Sequence, residues 1–289
     1  MRLSGWKAPG DGVRGGESGA AQVRIGRGVA AVLAAAGLAL SLAACGTSGD
    51  GSAEAAGGRI PAGRATQQHD RVPPPPLSPT SKPTPATTVG REIQHTLEDG
   101  GRSVGLTFDD GPDPNWTPQV LALLKQHHAK AVFCMIGPNA AAHPDLVRQV
   151  VAEGHRLCDH SVHHNERQSS RSDAYNRHEV LDAQRDIAAA AGPGAKLWYY
   201  RAPGGDFTPA IRAVAADHGL RPLGWQVDSE DWRRPGSDAI LGTVLSQLKP
   251  GRIVLMHDGG GDRAQTVAAL RRLLDRLDSE GYTYSFPRR

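Results

Sequence analysis

Two carboxylates stand side by side in Thr107-Phe108-Asp109-Asp110-Gly111-Pro112. The apolar run Val104 to Phe108 before them reads as a buried strand, and Gly111-Pro112 stops it. Successive residues of an extended strand point to opposite faces, so Asp109 and Asp110 meet different partners, one free to bind a cation and the other to act as a base. Taken alone, the pair reads first as a turn whose carboxylates cap backbone N–H groups. Further along lies His160-Ser161-Val162-His163-His164. His160 and His164 are four apart and share a face on one helical turn, with His163 also within reach at three. Two imidazoles and one carboxylate suit Zn²⁺ and leave a coordination position for water.

Three more stretches carry reactive side chains: Arg201-Ala202-Pro203-Gly204-Gly205, Asp228-Ser229-Glu230-Asp231-Trp232 and Leu255-Met256-His257-Asp258. In order and spacing the five stretches resemble the signature motifs of the polysaccharide deacetylase family, the NodB-homology domain of carbohydrate esterase family four. The resemblance runs from about Arg102 to the C-terminus. It implies a metal site of Asp110, His160 and His164 for Zn²⁺, with another divalent ion such as Co²⁺ as the alternative. It implies Asp109 as general base towards water at the metal, held by Arg201, and His257 as general acid, oriented by Asp228. Trp232 and Leu255 would wall the pocket for the acetyl methyl, and the Gly204 N–H would help to hold the oxyanion. The implied activity is removal of N-acetyl groups from an acetylated amino-sugar polymer, peptidoglycan or chitin-like. An acetylxylan esterase using the same machinery, or a metal- or glycan-binding module without turnover, are the alternatives. Against the module stands the survival of both Asp109 and His257. One departure is plain: the third motif usually carries an aromatic residue where this chain has Gly204, so the sugar-facing wall must come from elsewhere, with Tyr199, Tyr200 and Trp116 as candidates.

The elements that position these residues alternate between strand-like and helical patterns. Strands are expected over Val104–Phe108, Ala131–Ile136, His155–Cys158, Leu197–Tyr200, Trp225–Val227, Arg252–Met256 and Tyr282–Phe286. Helices are expected from Thr117-Pro118, over Ala140–Glu153, Ser172–Ala191, Thr208–His218, Ser237–Leu248 and Ala264–Leu277, with Pro at first turns and Gly after several ends. Such alternation implies parallel strands with helical crossovers. Each motif follows a strand, so their loops gather at the C-terminal face of an α/β distorted (β/α) barrel. Gly259-Gly260-Gly261 has no phosphate-binding fingerprint and reads as a turn into the last helix.

The first third of the chain has a different character. Val29 to Ala44 is apolar apart from Gly37 and Ser41, follows Arg24 and Arg27, and fits the hydrophobic region of a signal peptide spanning 1–44 better than a membrane span. Leu42-Ala43-Ala44-Cys45 resembles a bacterial lipobox, which would make Cys45 the lipidated residue; an ordinary signal peptide is the alternative. Residues 45–100, rich in Gly, Ser, Pro and Thr, read as a disordered linker, and 101–289 as the catalytic domain. A lipid-anchored enzyme on the outer face of a bacterial membrane, facing the cell wall, follows from this order of parts. The formal charge of +3 gives no cause to invoke nucleic acid, and no motif points to a protein partner. Export permits a disulfide between Cys134 and Cys158, with two buried thiols as the alternative. If Cys45 carries the lipid, Cys45→Ser moves the otherwise intact enzyme from the membrane fraction to the soluble fraction; retention in the membrane would show another tether.

Overall fold

The computed structural model describes residues 88–289; the apolar leader, Cys45 and most of the linker lie outside the described residues. Its central strand is β1 (Ser103–Asp109), buried at every position. On one side β1 pairs with β2 (Ala131–Met135), and beyond it follow β3 (Arg156–Asp159), β4 (Leu197–Tyr200) and β5 (Arg221–Pro222). On the other side lie β7 (Arg252–His257) and then β6 (Val227–Asp228), while β8 (Thr283–Tyr284) pairs with the start of β1. All these strand pairings are parallel. The result is a curled sheet wrapped by helices, the α/β distorted barrel expected from the alternation of elements.

Alternation along β1 decides what faces where. Val104, Leu106 and Phe108 join the large core beneath the helices, together with Leu121 and Leu124 of α1 (Thr117–Gln126) and Leu270 and Leu274 of α7 (Ala264–Ser279). Phe108 stacks on Phe133 at 5.4 Å. Thr107 and Asp109 therefore take the opposite face, towards the barrel interior. A second cluster, including Val132, Cys134, Cys158, Tyr199 and Ile253, fills that interior below the site.

The remaining helices are α2 (Gly137–Ala142), α3 (Pro144–Ala152), α4 (Asp173–Ala191), α5 (Pro209–Asp217) and α6 (Ser237–Gln247). Two start where their capping side chains dictate: Ser172 Oγ accepts from Tyr175 N at 3.3 Å and Thr208 Oγ1 from Ile211 N at 3.1 Å. The single helix expected over Ala140–Glu153 is two, because Pro144 lacks an N–H and disfavours helical backbone at His143, where the chain turns. The expected linker also ends earlier than residue 100. Leu97 is buried, Gln94 bridges Leu223 just past β5, and Leu97 bridges Pro287, so this segment belongs to the folded domain. Few apolar residues mark it in sequence, since its ties are mostly backbone hydrogen bonds.

Cys134 and Cys158 stand opposite each other in the β2–β3 ladder and are joined by a disulfide. It links strands that feed two parts of the site: Cys134 O accepts from Asp110 N at 3.1 Å, and Cys158 lies two residues before His160. Closing a sequence separation of 24 residues is expected to contribute about 3 kcal/mol. The non-reduced domain should therefore show no alkylatable thiol at either position, and its denaturant midpoint should fall on reduction. Two freely alkylated thiols in exported protein would contradict the bridge.

Candidate metal and catalytic site

Asp110 leaves β1 with a left-handed backbone (φ 74°), which turns its carboxylate away from the direction of Asp109. Its Oδ1 lies 3.2 Å from His164 Nε2 and 3.5 Å from His160 Nε2, and this buried oxygen has no hydrogen-bond partner. One atom each from Asp110, His160 and His164 falls within 4.8 Å of the others. An orphaned carboxylate oxygen between two imidazoles is the donor set a divalent cation satisfies. His160 Nδ1 donates to Arg201 O at 2.8 Å, which fixes the tautomer and leaves the Nε2 lone pair facing the cluster. Burial lowers the His160 pKa further than Asp109 and Asp110 raise it, so the neutral imidazole is favoured. His164 differs: burial lowers its pKa, but the adjacent Asp110 carboxylate outweighs that and raises it, so a metal would displace a proton there.

The expectation that His160 and His164 share one helical turn is not met. The segment is a loop, with Ser161 (φ 67°) and His164 (φ 49°) both in the left-handed region. Two carboxylates hold it in that conformation: Asp159 Oδ1 accepts from Ser161 N at 2.8 Å, and Glu179 of α4 accepts from His163 N at 2.9 Å and Val162 N at 3.2 Å. Glu179 also takes the His163 Nδ1 at 2.6 Å, turning that ring away from Asp110, His160 and His164. Sequence spacing left His163 within reach; the buried acceptor on α4 removes it.

Asp109 points into the barrel, where Arg201 Nη1 donates to its Oδ1 at 2.6 Å and to Thr107 Oγ1 at 2.9 Å. Arg201 is 0% exposed. Its Nε and Nη2 donate to Leu223 O and Gly224 O, each at 3.3 Å, so the guanidinium is fixed from several sides. Asp109 Oδ2 is 3.6 Å from His160 Nε2, beside the Asp110, His160 and His164 group.

His257 ends β7, directly opposite Asp109 in the ladder. The partner that orients it is Asp231, not Asp228. Asp231 Oδ1 meets His257 Nδ1 at 2.6 Å, and Oδ2 accepts from His257 N at 2.9 Å and from Thr266 Oγ1 at 2.8 Å. Asp228 instead ends β6, accepts from Glu230 N at 2.9 Å, and presents itself at the cavity wall. The chain reverses after Asp228 through Glu230 (φ 53°), and that turn swings Asp231 beneath the histidine. Burial alone would lower the His257 pKa, but the Asp231 hydrogen bond and charge, with Asp110 and Asp109, raise it to about 9.

Asp109, Asp110, His160, His164, Asp228 and His257 line one cavity of about 640 Å³, with Arg201 and Asp231 behind its wall. Residues 96–223 match the family model for polysaccharide deacetylase. Over 193 residues the chain is 41% identical to a chitooligosaccharide deacetylase of Sinorhizobium fredii, covering 63% of this chain and 89% of that protein. It is 40% identical over 188 residues to a peptidoglycan-N-acetylglucosamine deacetylase of Bacillus cereus, covering 63% and 84%. A family 4 carbohydrate esterase from Streptomyces lividans, solved with acetate, superposes with a TM-score of 0.58 at 34% identity, covering 64% of this chain and 93% of that one. The chain belongs to the polysaccharide deacetylase family.

At the departure from the motif, a Cβ on Gly204 would meet Glu166 at 3.1 Å, and an aromatic wall comes instead from a residue outside the motif. Tyr199 and Tyr200 are fully buried, their hydroxyls donating to Pro287 O and Gln168 Oε1, and Trp116 packs against the helical core; none lines the cavity. Trp225 does. Its ring covers the Arg201 guanidinium at 5.4 Å and lies so close over Gly205 that a Cβ there would meet it at 3.0 Å. Gly204, Leu255 and Trp232 line the cavity as expected, and Trp232 is 48% exposed, open to a sugar ring. Replacing Asp231 with Asn removes the charge that raises the His257 pKa, so the alkaline limb of the pH–rate profile should move down from near 9 towards the ordinary imidazole value of about 6.5. Asp228→Asn should leave that limb in place. A shift caused by Asp228→Asn alone would reverse the assignment.

Proposed function

We propose that this protein hydrolyses N-acetyl groups on an amino-sugar polymer of the cell wall, with Zn²⁺ held by Asp110, His160 and His164. The observation that carries the reading is the presence, in one cavity, of the metal-type triad with an arginine-held carboxylate and an aspartate-held imidazole beside it. When bound, Zn²⁺ supplies Lewis-acid activation of water and of the scissile carbonyl. Asp109 accepts the proton of the attacking water, with Arg201 fixing the carboxylate so that Oδ2 faces the reacting centre. His257 donates a proton from Nε2 to the departing nitrogen, because its Nδ1 is taken by Asp231. The Gly204 N–H contributes to holding the developing oxyanion. Leu255 and Trp232 bound the space for the acetyl methyl.

The raised His257 pKa suits amide cleavage. An amine must be protonated to leave, whereas an alkoxide leaves more readily without help, so a strongly protonated imidazole serves the harder reaction. Relatives named for both chitooligosaccharide and peptidoglycan support an amino-sugar substrate. We take peptidoglycan as the polymer, on the further proposal that Cys45 is lipidated and tethers the domain beneath the wall through the Gly/Ser/Pro/Thr-rich segment. Purified enzyme with Zn²⁺ should release acetate from peptidoglycan and chitooligosaccharide; release from acetylated xylan alone would favour the esterase. Asp109→Asn should keep its bound metal yet lose turnover by roughly 10²–10⁴-fold, the ordinary worth of a positioned base. Asp110→Ala should lose metal and activity together. Unimpaired turnover in Asp109→Asn would remove the base from the mechanism.

A further inference from the structure

The loop Gly259–Gly261 is more than a turn into α7. A Cβ on Gly259 would stand 2.3 Å from Asp110 O, and one on Gly260 would stand 2.4 Å from Asp110 Oδ2. The loop backbone thus lies directly against the metal-cluster carboxylate, on the side opposite the imidazoles, where only glycine fits. Consecutive glycines have little conformational preference of their own, so a close fit of this kind needs an outside tie. Arg263 provides it. Arg263 is 3% exposed, and its Nε donates to Gly259 O at 2.6 Å while Nη2 donates to Gly260 O at 3.2 Å. The same group reaches across to the acid side, where Nη1 donates to Asp231 O at 3.4 Å, and Nη2 lies 3.9 Å from Asp110 Oδ2.

We propose that Arg263 is a positioning residue that locks the metal-binding carboxylate Asp110 and the acid's partner Asp231 into one rigid unit. The inference rests on the deacetylase reading above for its consequence in catalysis, and on geometry alone for its consequence in metal binding. One planar cation spans three carbonyls from two loops, which a lysine's single ammonium cannot reproduce. Loss of the guanidinium frees the glycine loop from Asp110 Oδ2 and frees the Asp231 backbone, so both halves of the site loosen together.

Arg263→Ala and Arg263→Lys in the disulfide-intact domain test this. Zn²⁺ affinity, measured by competition with a chromophoric chelator, should fall in both variants by about 10–100-fold, the usual effect of removing a group that supports a metal ligand. The kcat for acetate release should fall with KM little changed. Guanidinium ion added at millimolar concentration should restore part of the kcat of Arg263→Ala and none of that of His257→Ala. Wild-type Zn²⁺ affinity and kcat in folded Arg263→Lys would overturn the proposal. So would losses in both variants that follow loss of folded protein and that guanidinium does not restore. If the wild type releases no acetate, the deacetylase reading falls, while the affinity comparison still decides the role of Arg263.

Discussion

The structure depends on how it compensates buried negative charge at the mouth of the barrel. Asp109, Asp110, Asp231 and Asp258 are all buried within a short span of the β1 and β7 ends. An unpaired carboxylate in such a place is strongly destabilising, so each must find a counter-group or lose its charge. Asp109 has Arg201, and Asp231 has His257. Asp258 accepts from Thr117 Oγ1 at 2.6 Å, and burial, with Asp110 and Asp109 nearby, pushes its carboxyl up to about 7. Asp110 is set against two imidazoles, with one oxygen left unsatisfied. A divalent cation would complete this arrangement as its counter-charge.

The scaffold meets that demand by delivering each group from the end of a parallel strand. β1, β3, β4, β6 and β7 are followed respectively by Asp110, His160, Arg201, the Asp231 turn and the Asp258 loop, so the reactive loops converge while the hydrophobic clusters lie below. Where the loops need unusual backbone, non-glycine residues at Asp110, Ser161, His164 and Glu230 adopt left-handed conformations. Such conformations cost energy at each position and persist because surrounding contacts over-determine them. Glu179 and Asp159 do this for the histidine loop, as the glycine loop and Asn139, which donates to Asp110 O at 2.9 Å, do for Asp110.

Much of this was legible from residue order, because strand ends and helix caps are local signals. The alternating strand and helix patterns imply the parallel sheet, and Asp109, Asp110, His160, His164 and His257 all line the cavity, with Arg201 buried behind Asp109. The failures were contacts over distance. Asp228 and Asp231 lie in one short motif, and only the reversal at Glu230 decides which reaches His257. Glu179 and Trp225 lie on elements with no motif of their own, so their roles exist only once the fold brings them to the site. The helix break before Pro144 was a local signal that periodicity concealed. Residues 88–99 read as linker because backbone bridges, rather than an apolar pattern, hold them in place.

The central claim is that Asp110, His160 and His164 form an open divalent-metal site beside a fixed base and acid. X-ray absorption at the zinc edge of the stoichiometrically loaded protein tests it most directly. The account predicts scattering from two imidazoles and from oxygen, at the distances of about 2.0–2.2 Å usual for zinc, with one imidazole lost in His164→Ala. A spectrum with sulfur ligation, or one unchanged by His164→Ala, would contradict it.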